Sequence, residues 1–166
     1  MKTIRLVRAD RQDAGLLHRL QVEAFMPLYE KYHDDDTSPA NESEERVAGR
    51  IEDVNGEYYI IYETETPIGG IRVVHSHEPG YENVSWISPI FIIPAYQNRG
   101  IAQDVLQKIF ASYPQTAVWK LSTIKQEKGN CHLYEKCGFV SLGCHSAFVD
   151  GLMQEFDVFE YRFSQQ

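Results

Sequence analysis

Only three cysteines occur in the 166 residues, Cys131, Cys137 and Cys144, and no Cys-x-x-Cys spacing is present. An odd number cannot close a fully paired disulfide framework, so reduced thiols in a cytoplasmic protein are the expectation. No stretch approaches the roughly 20 apolar residues of a membrane span. The start, Met1 to Asp10, alternates charged and apolar residues and lacks the apolar run of a signal peptide. Positive charge is scarce as well: 16 Lys and Arg stand against 24 Asp and Glu, net −8, which speaks against general nucleic-acid binding. Repeats, low-complexity tracts and Gly/Ser linkers are also missing. The length suits one domain, residues 1–166, around one hydrophobic core.

The charge is unevenly spread. Residues 95–140 carry six basic side chains (Arg99, Lys108, Lys120, Lys125, Lys128, Lys136) against three acidic ones (Asp104, Glu127, Glu135). Such a segment suits a small polyanion, although an acidic protein often has one neutral-to-basic stretch without function. At the other extreme, Tyr32 to Glu45 holds Asp34, Asp35, Asp36, Glu42, Glu44 and Glu45 with no Lys or Arg.

The hydrophobic pattern alternates between strand and helix periods. Thr3–Arg8 reads as a strand. Asp10 caps a helix to about Tyr29 with Leu16, Leu17, Leu20, Ala24 and Phe25 at helical spacing. The acidic stretch reads as a loop, followed by a short helix with Val47 and Ile51 one turn apart. Glu57–Glu63 and Pro67–His75 are strands, as is Val84–Ile93, where Pro89 interrupts the middle and predicts a bulge or a missing partner. A helix then places Ile101, Val105, Leu106, Ile109 and Phe110 on one face and stops before Pro114. Ala117–Ile124 is a strand, Asn130–Cys137 a short helix ended by Gly138, and Phe139–Phe148 and Met153–Phe163 are closing strands. Apolar alternation slips between Val158 and Phe159, predicting a bulge in the last of them.

Two segments carry chemistry. Gln97-Asn98-Arg99-Gly100-Ile101-Ala102 joins a strand to a helix. Small residues there let backbone N–H groups converge, and a helix N-terminus adds unpaired donors and partial positive charge, a combination suited to a pyrophosphate. The three-glycine dinucleotide spacing and the Gly-Lys-Ser/Thr of a P-loop are both absent. Taken alone, the segment also fits a plain strand–turn–helix joint. In the second segment, Asn130 and Tyr134 lie four apart on one helix face; Tyr134 fits either a ligand contact or a core aromatic with its hydroxyl at the rim. A metal is not expected. Cys131 and His132 diverge by about 100° on a helix, and Cys144 and His145 face opposite sides of a strand.

Together, Pro94, Tyr96, Gln97-x-x-Gly100-x-Ala102 and, about thirty residues on, Leu133-Tyr134-Glu135-Lys136-x-Gly138-Phe139 resemble the GNAT superfamily of acetyl-CoA-dependent N-acetyltransferases. The order of elements from Thr3 to Phe163 fits as well. The resemblance implies an α/β three-layer fold whose mixed, mostly antiparallel sheet is splayed between strands 4 and 5. It implies acetyl-CoA as co-substrate, its arm along Phe91, Ile92 and Ile93 and its pyrophosphate on Gln97, Asn98, Arg99, Gly100, Ile101 and Ala102. It further implies direct attack by an amine, an oxyanion held by the Ile92 or Ile93 N–H, and Tyr134 as general acid for the thiolate. The family often has asparagine seven residues before that tyrosine, where this chain has Glu127; Asn130 is the candidate substitute. For the base, Glu82, Glu127, His75, His77 and a water chain all stay open. The expected acceptor is a small-molecule amine, cationic if the acidic stretch borders its site, with Tyr29, Tyr32 or Phe25 in contact. A protein amine and a non-catalytic acyl-CoA-binding module are the alternatives. Neither nucleic acid nor membrane is an expected partner, and the protein is expected to be a monomer or homodimer.

Overall fold

A computed structural model describes residues 3–32, 39–124, 134–149 and 152–162. The elements in chain order are β1 (Ile4–Arg8), α1 (Ala14–Tyr32), α2 (Glu44–Glu52), β2 (Gly56–Glu63), β3 (Thr66–His75) and β4 (Val84–Ile92). They continue with α3 (Ile101–Ser112), β5 (Val118–Ile124), β6 (Val140–Val149) and β7 (Leu152–Arg162). The strands form one seven-stranded sheet in the order β1-β2-β3-β4-β5-β7-β6. Every neighbouring pair is antiparallel except β4 and β5. A parallel pair needs a crossover, and α3 supplies it. None of the described helices is long and apolar enough to cross a membrane.

Local chemistry sets the helix ends. Asp10 accepts from Gln12 N–H and its own N–H donates to Asp13, a capping box that starts a 3-10 turn leading into α1. Ser43 caps α2 by accepting from Arg46 N–H, and Glu44 and Glu45 complement the dipole in its first turn. Helix α3 buries Ile101, Val105, Leu106, Ile109 and Phe110, the five residues its periodicity selects.

The helices cover both faces of the sheet. On one, Leu17 and Phe25 of α1 meet Gly70 and Phe91. On the other, Phe110 of α3 and Tyr113 just beyond it pack on Trp119. Where β3 and β4 come together, a Cβ at Gly69 would lie 2.1 Å from the Phe91 carbonyl oxygen. That contact is backbone, so no side chain can turn aside. Gly69→Ala is therefore expected to cost about 3 kcal/mol or more. For a chain of this size that lowers Tm by roughly 6–12 °C, which thermal unfolding measures; an unchanged Tm would refute the close approach.

The irregularity predicted for the final strand lies on its neighbour. Ser141 pairs with Phe159 and Cys144 with Asp157, so the extra residue belongs to β6, while β5 and β7 pair in unbroken register. Val158 faces the break, and its apolar slip reports a partner's bulge. Gly138 adopts the left-handed conformation expected of it, with φ of +97°.

Candidate active site

Strands β4 and β5 pair through only four rungs, Val84–Val118 to Ile87–Leu121, and then part. The cause lies in β4. On its β3 side, Ile71 pairs with Ile90 and Val73 with Ile87, so Ser88 and Pro89 together face Arg72. This two-against-one bulge falls where Pro89 predicted it, because a prolyl nitrogen cannot make a rung. Beyond the bulge the antiparallel ladder alternates. Ile93 N–H donates to Ile68 O at 2.9 Å, which turns the Ile92 backbone the other way. Accordingly, Ile92 O accepts from the Gln97 side-chain amide at 2.7 Å. The N–H groups of Ile90 and Ile92 thus face the parted side. Of the two oxyanion donors expected from the sequence, Ile93 is already engaged and Ile92 is directed into the opening. Ile90 joins it there. The spacing of three between Ile87 and Ile90, where a regular strand has two or four, was the signal for it.

The segment after β4 ends at the N-terminus of α3. Gly100 is its N-cap, left-handed with φ of +77° and with no side-chain cap; Asn98 is also left-handed, at φ of +62°. Gln97 gives its N–H to Pro94 O, so its amide and side chain fasten the loop to β4. Asp104 N–H reaches Gly100 O at 3.2 Å, which leaves Ile101, Ala102 and Gln103 N–H without a partner in their own helix. A Cβ built on Gly100 meets nothing within 4 Å. The helix therefore presents several backbone donors, about half a unit of positive charge and open space together. Arg99, exposed, lies over the Tyr96 ring at 5.3 Å.

Tyr134 is buried, with its ring against Phe139 and Phe159 at 6.0 and 5.8 Å between centroids. Phe159 pairs with Leu121, which pairs with Ile87 at the last rung of the β4–β5 seam. The ring thus packs against β7, one strand beyond the β4–β5 seam. Asn130 lies outside the described residues.

Two of the candidate bases are committed elsewhere. His75 Nε2 meets Glu57 Oε2 at 2.8 Å and its Nδ1 meets Ser85 Oγ at 3.0 Å, near the start of β4 and away from the bulge. The Glu82 carboxylate accepts from Gly80 N–H. His77 is exposed, and Glu127 lies outside the described residues. The acidic segment is shorter than a loop from Tyr32 to Glu45: Tyr32 closes α1, Pro39–Asn41 forms a 3-10 turn and Glu44 opens α2. Asp34, Asp35 and Asp36 lie outside the described residues. Glu42 is no solvated surface charge. It accepts from Gln21 Nε2 and Arg50 Nη1, each at 2.9 Å, with Arg46 at 3.6 Å.

A sheet that opens beside an uncapped helix N-terminus is the arrangement that the resemblance to acetyl-CoA-dependent acetyltransferases implied. A profile of the Acetyltransferase (GNAT) family matches residues 17–139, and the chain belongs to that family. Several solved structures share the fold. One is a ribosomal L7/L12 alpha-N-protein acetyltransferase, RimL, in complex with coenzyme A: TM-score 0.73, 16% identity, covering 96% of this chain and 94% of that one. Another is an acetyltransferase from Thermus thermophilus, with TM-score 0.74, 15% identity and 97% of both chains covered. A third is a spermidine N-acetyltransferase SpeG chimera from Vibrio cholerae and hSSAT, with TM-score 0.73, 19% identity, and 96% and 95% covered. By sequence, the chain is 29% identical over 83 residues to the uncharacterized protein YrkN of Bacillus subtilis (strain 168). That match spans 49% of this chain and 43% of YrkN.

Proposed function

We propose that the protein moves an acetyl group from acetyl-CoA to a primary amine on a small molecule. The observation that carries this is the parting of β4 from β5 beside the unpaired N–H groups of α3. The residues fit the co-substrate: backbone donors converge where Gly100 leaves room that a side chain would fill. Asn98 to Gln103 would hold the pyrophosphate, with Arg99 adding charge, and the Phe91–Ile93 stretch of backbone would hold the pantetheine arm. Bound there, acetyl-CoA supplies a reactive thioester.

The chain's own groups do the rest. The Ile92 N–H donates to the carbonyl oxygen as charge builds on it, a contribution worth about 3–4 kcal/mol when such a donor is lost. The Tyr134 hydroxyl gives its proton to the departing sulfur. With His75 and Glu82 both hydrogen-bonded elsewhere, His77, Glu127 and a water chain are the candidates left to take the amine proton. A screen of amines that follows free CoA release, with calorimetric CoA binding, tests the proposal. The absence of both turnover and CoA binding would overturn it.

The acceptor is proposed to be cationic. Asp34, Asp35, Asp36 and Glu44 are the carboxylates left to attract it once Glu42 is paired with Arg50 and Glu45 lies 3.8 Å from Arg11. Charge steering falls with ionic strength. The expected result is a kcat/KM for a diamine that drops several-fold between about 0.02 and 0.3 M salt, and a flatter slope in Asp34→Asn/Asp35→Asn. A best acceptor that is neutral, with no salt dependence, would refute the charge preference and leave the chemistry standing.

A further inference from the structure

Arg72 lies at the one place where the main ladder of the sheet is broken beside the opening. It faces Tyr58 on β2 and, across the other edge of β3, both Ser88 and Pro89 of β4. The bulge removes the Ser88 carbonyl from the regular rungs, and Pro89 offers no N–H to replace one. Arg72 Nη1 donates to the Ser88 carbonyl at 3.2 Å, and Nη2 donates to Asp53 Oδ2 at 2.7 Å. Asp53 is the C-cap of α2. A single guanidinium therefore ties the end of a helix to the bulge. Its side chain is 12% exposed, and the fully buried Tyr58 stands beside it on the same face. Burial draws its pKa down, and Asp53 opposes that.

The bulge has a consequence for the site. Its extra residue puts Ile87, Ile90 and Ile92 on one face and turns the Ile90 and Ile92 N–H groups toward the parted strands. Without it the register would slip by one residue, and Phe91 and Ile93 would exchange places with them. A planar guanidinium with several donors can hold two acceptors at fixed geometry; an ammonium cannot do so in the same way.

We propose that Arg72, fixed by Asp53, is a positioning residue for acyl transfer: it holds the β4 bulge in the register that aims the Ile90 and Ile92 N–H groups into the opening. This rests on the function proposed above. The test compares wild type, Arg72→Lys and Asp53→Asn by steady-state kinetics and by amide NMR during titration with CoA. In the wild type, CoA should move the amides of Ile90 and Ile92 together with those of Ile101, Ala102 and Gln103. In Arg72→Lys the helix amides should still move while the two strand amides do not. The variant's kcat should fall about 10- to 100-fold, with KM for acetyl-CoA nearly unchanged. Asp53→Asn should show the same split to a lesser degree, and it decides the matter if Arg72→Lys does not fold. A wild-type spectrum unmoved by CoA overturns the proposed function and this role with it. Variants that match a responsive wild type in kcat and in both sets of amides overturn the role of Arg72 alone.

Discussion

Tyr134→Phe is expected to lower kcat about 100-fold, the usual scale of a general-acid contribution, while the affinity for CoA stays the same. The ring contacts with Phe139 and Phe159 survive the substitution, since only the hydroxyl is removed. Any loss must then come from the missing proton donor or its hydrogen bonding, and not from a lost packing contact. The measurement is pre-steady-state, following thiol release in a single turnover, because product release masks chemistry in many enzymes. A single-turnover rate equal to that of the wild type would make Tyr134 a packing residue.

Gly100→Glu is expected to weaken CoA binding about 100-fold or more, equivalent to about 2.7 kcal/mol. Gly100 caps the helix whose first N–H groups are unpaired and has open space beside it, so a carboxylate placed there would compete for those donors and repel a pyrophosphate. Two controls separate the causes. Gly100→Ala suffers only the left-handed backbone penalty, about 1–2 kcal/mol, and should lower Tm by a few degrees with CoA affinity largely kept. Gly100→Gln has the bulk of Glu without its charge and should fall between the two. Equal Kd values for Gly100→Glu and the wild type, by calorimetry on folded protein, would remove the anion from the α3 N-terminus.

Much of this arrangement is written in short-range patterns. The buried stripe of α3 follows from residues three and four apart. The left-handed Gly138 follows from its place after a short helix, and the broken rung in β4 follows from Pro89 alone. Long-range pairing is not legible in the same way. Pro89 announces a disruption, yet its partner Arg72 lies on another strand, chosen by the register of β3 against β4. Glu42 reads as one of six acidic residues in a polar stretch; its actual partners, Gln21 and Arg50, come from the helices on either side. The slip near Val158 was visible in β7, but the extra residue sits in β6, because periodicity records a mismatch without saying which strand carries it. The chemical role given to Tyr134 comes from likeness to a family, since spacing alone left a core aromatic equally open.

The four-rung seam between β4 and β5 has a mechanical side. It is the only backbone ladder among the described residues that joins β1–β4 to β5–β7, so the sheet behaves as two plates sharing a short weld. Local opening concentrates where few rungs must break. Helix α3 bridges the weld, since Phe110 packs on Trp119 of β5 and on Tyr161 of β7, while the loop before α3 is fastened to the end of β4 by Gln97. A ligand gripped at the start of α3 would therefore clamp the two plates together, making the protein's resistance to unfolding a gauge of occupancy.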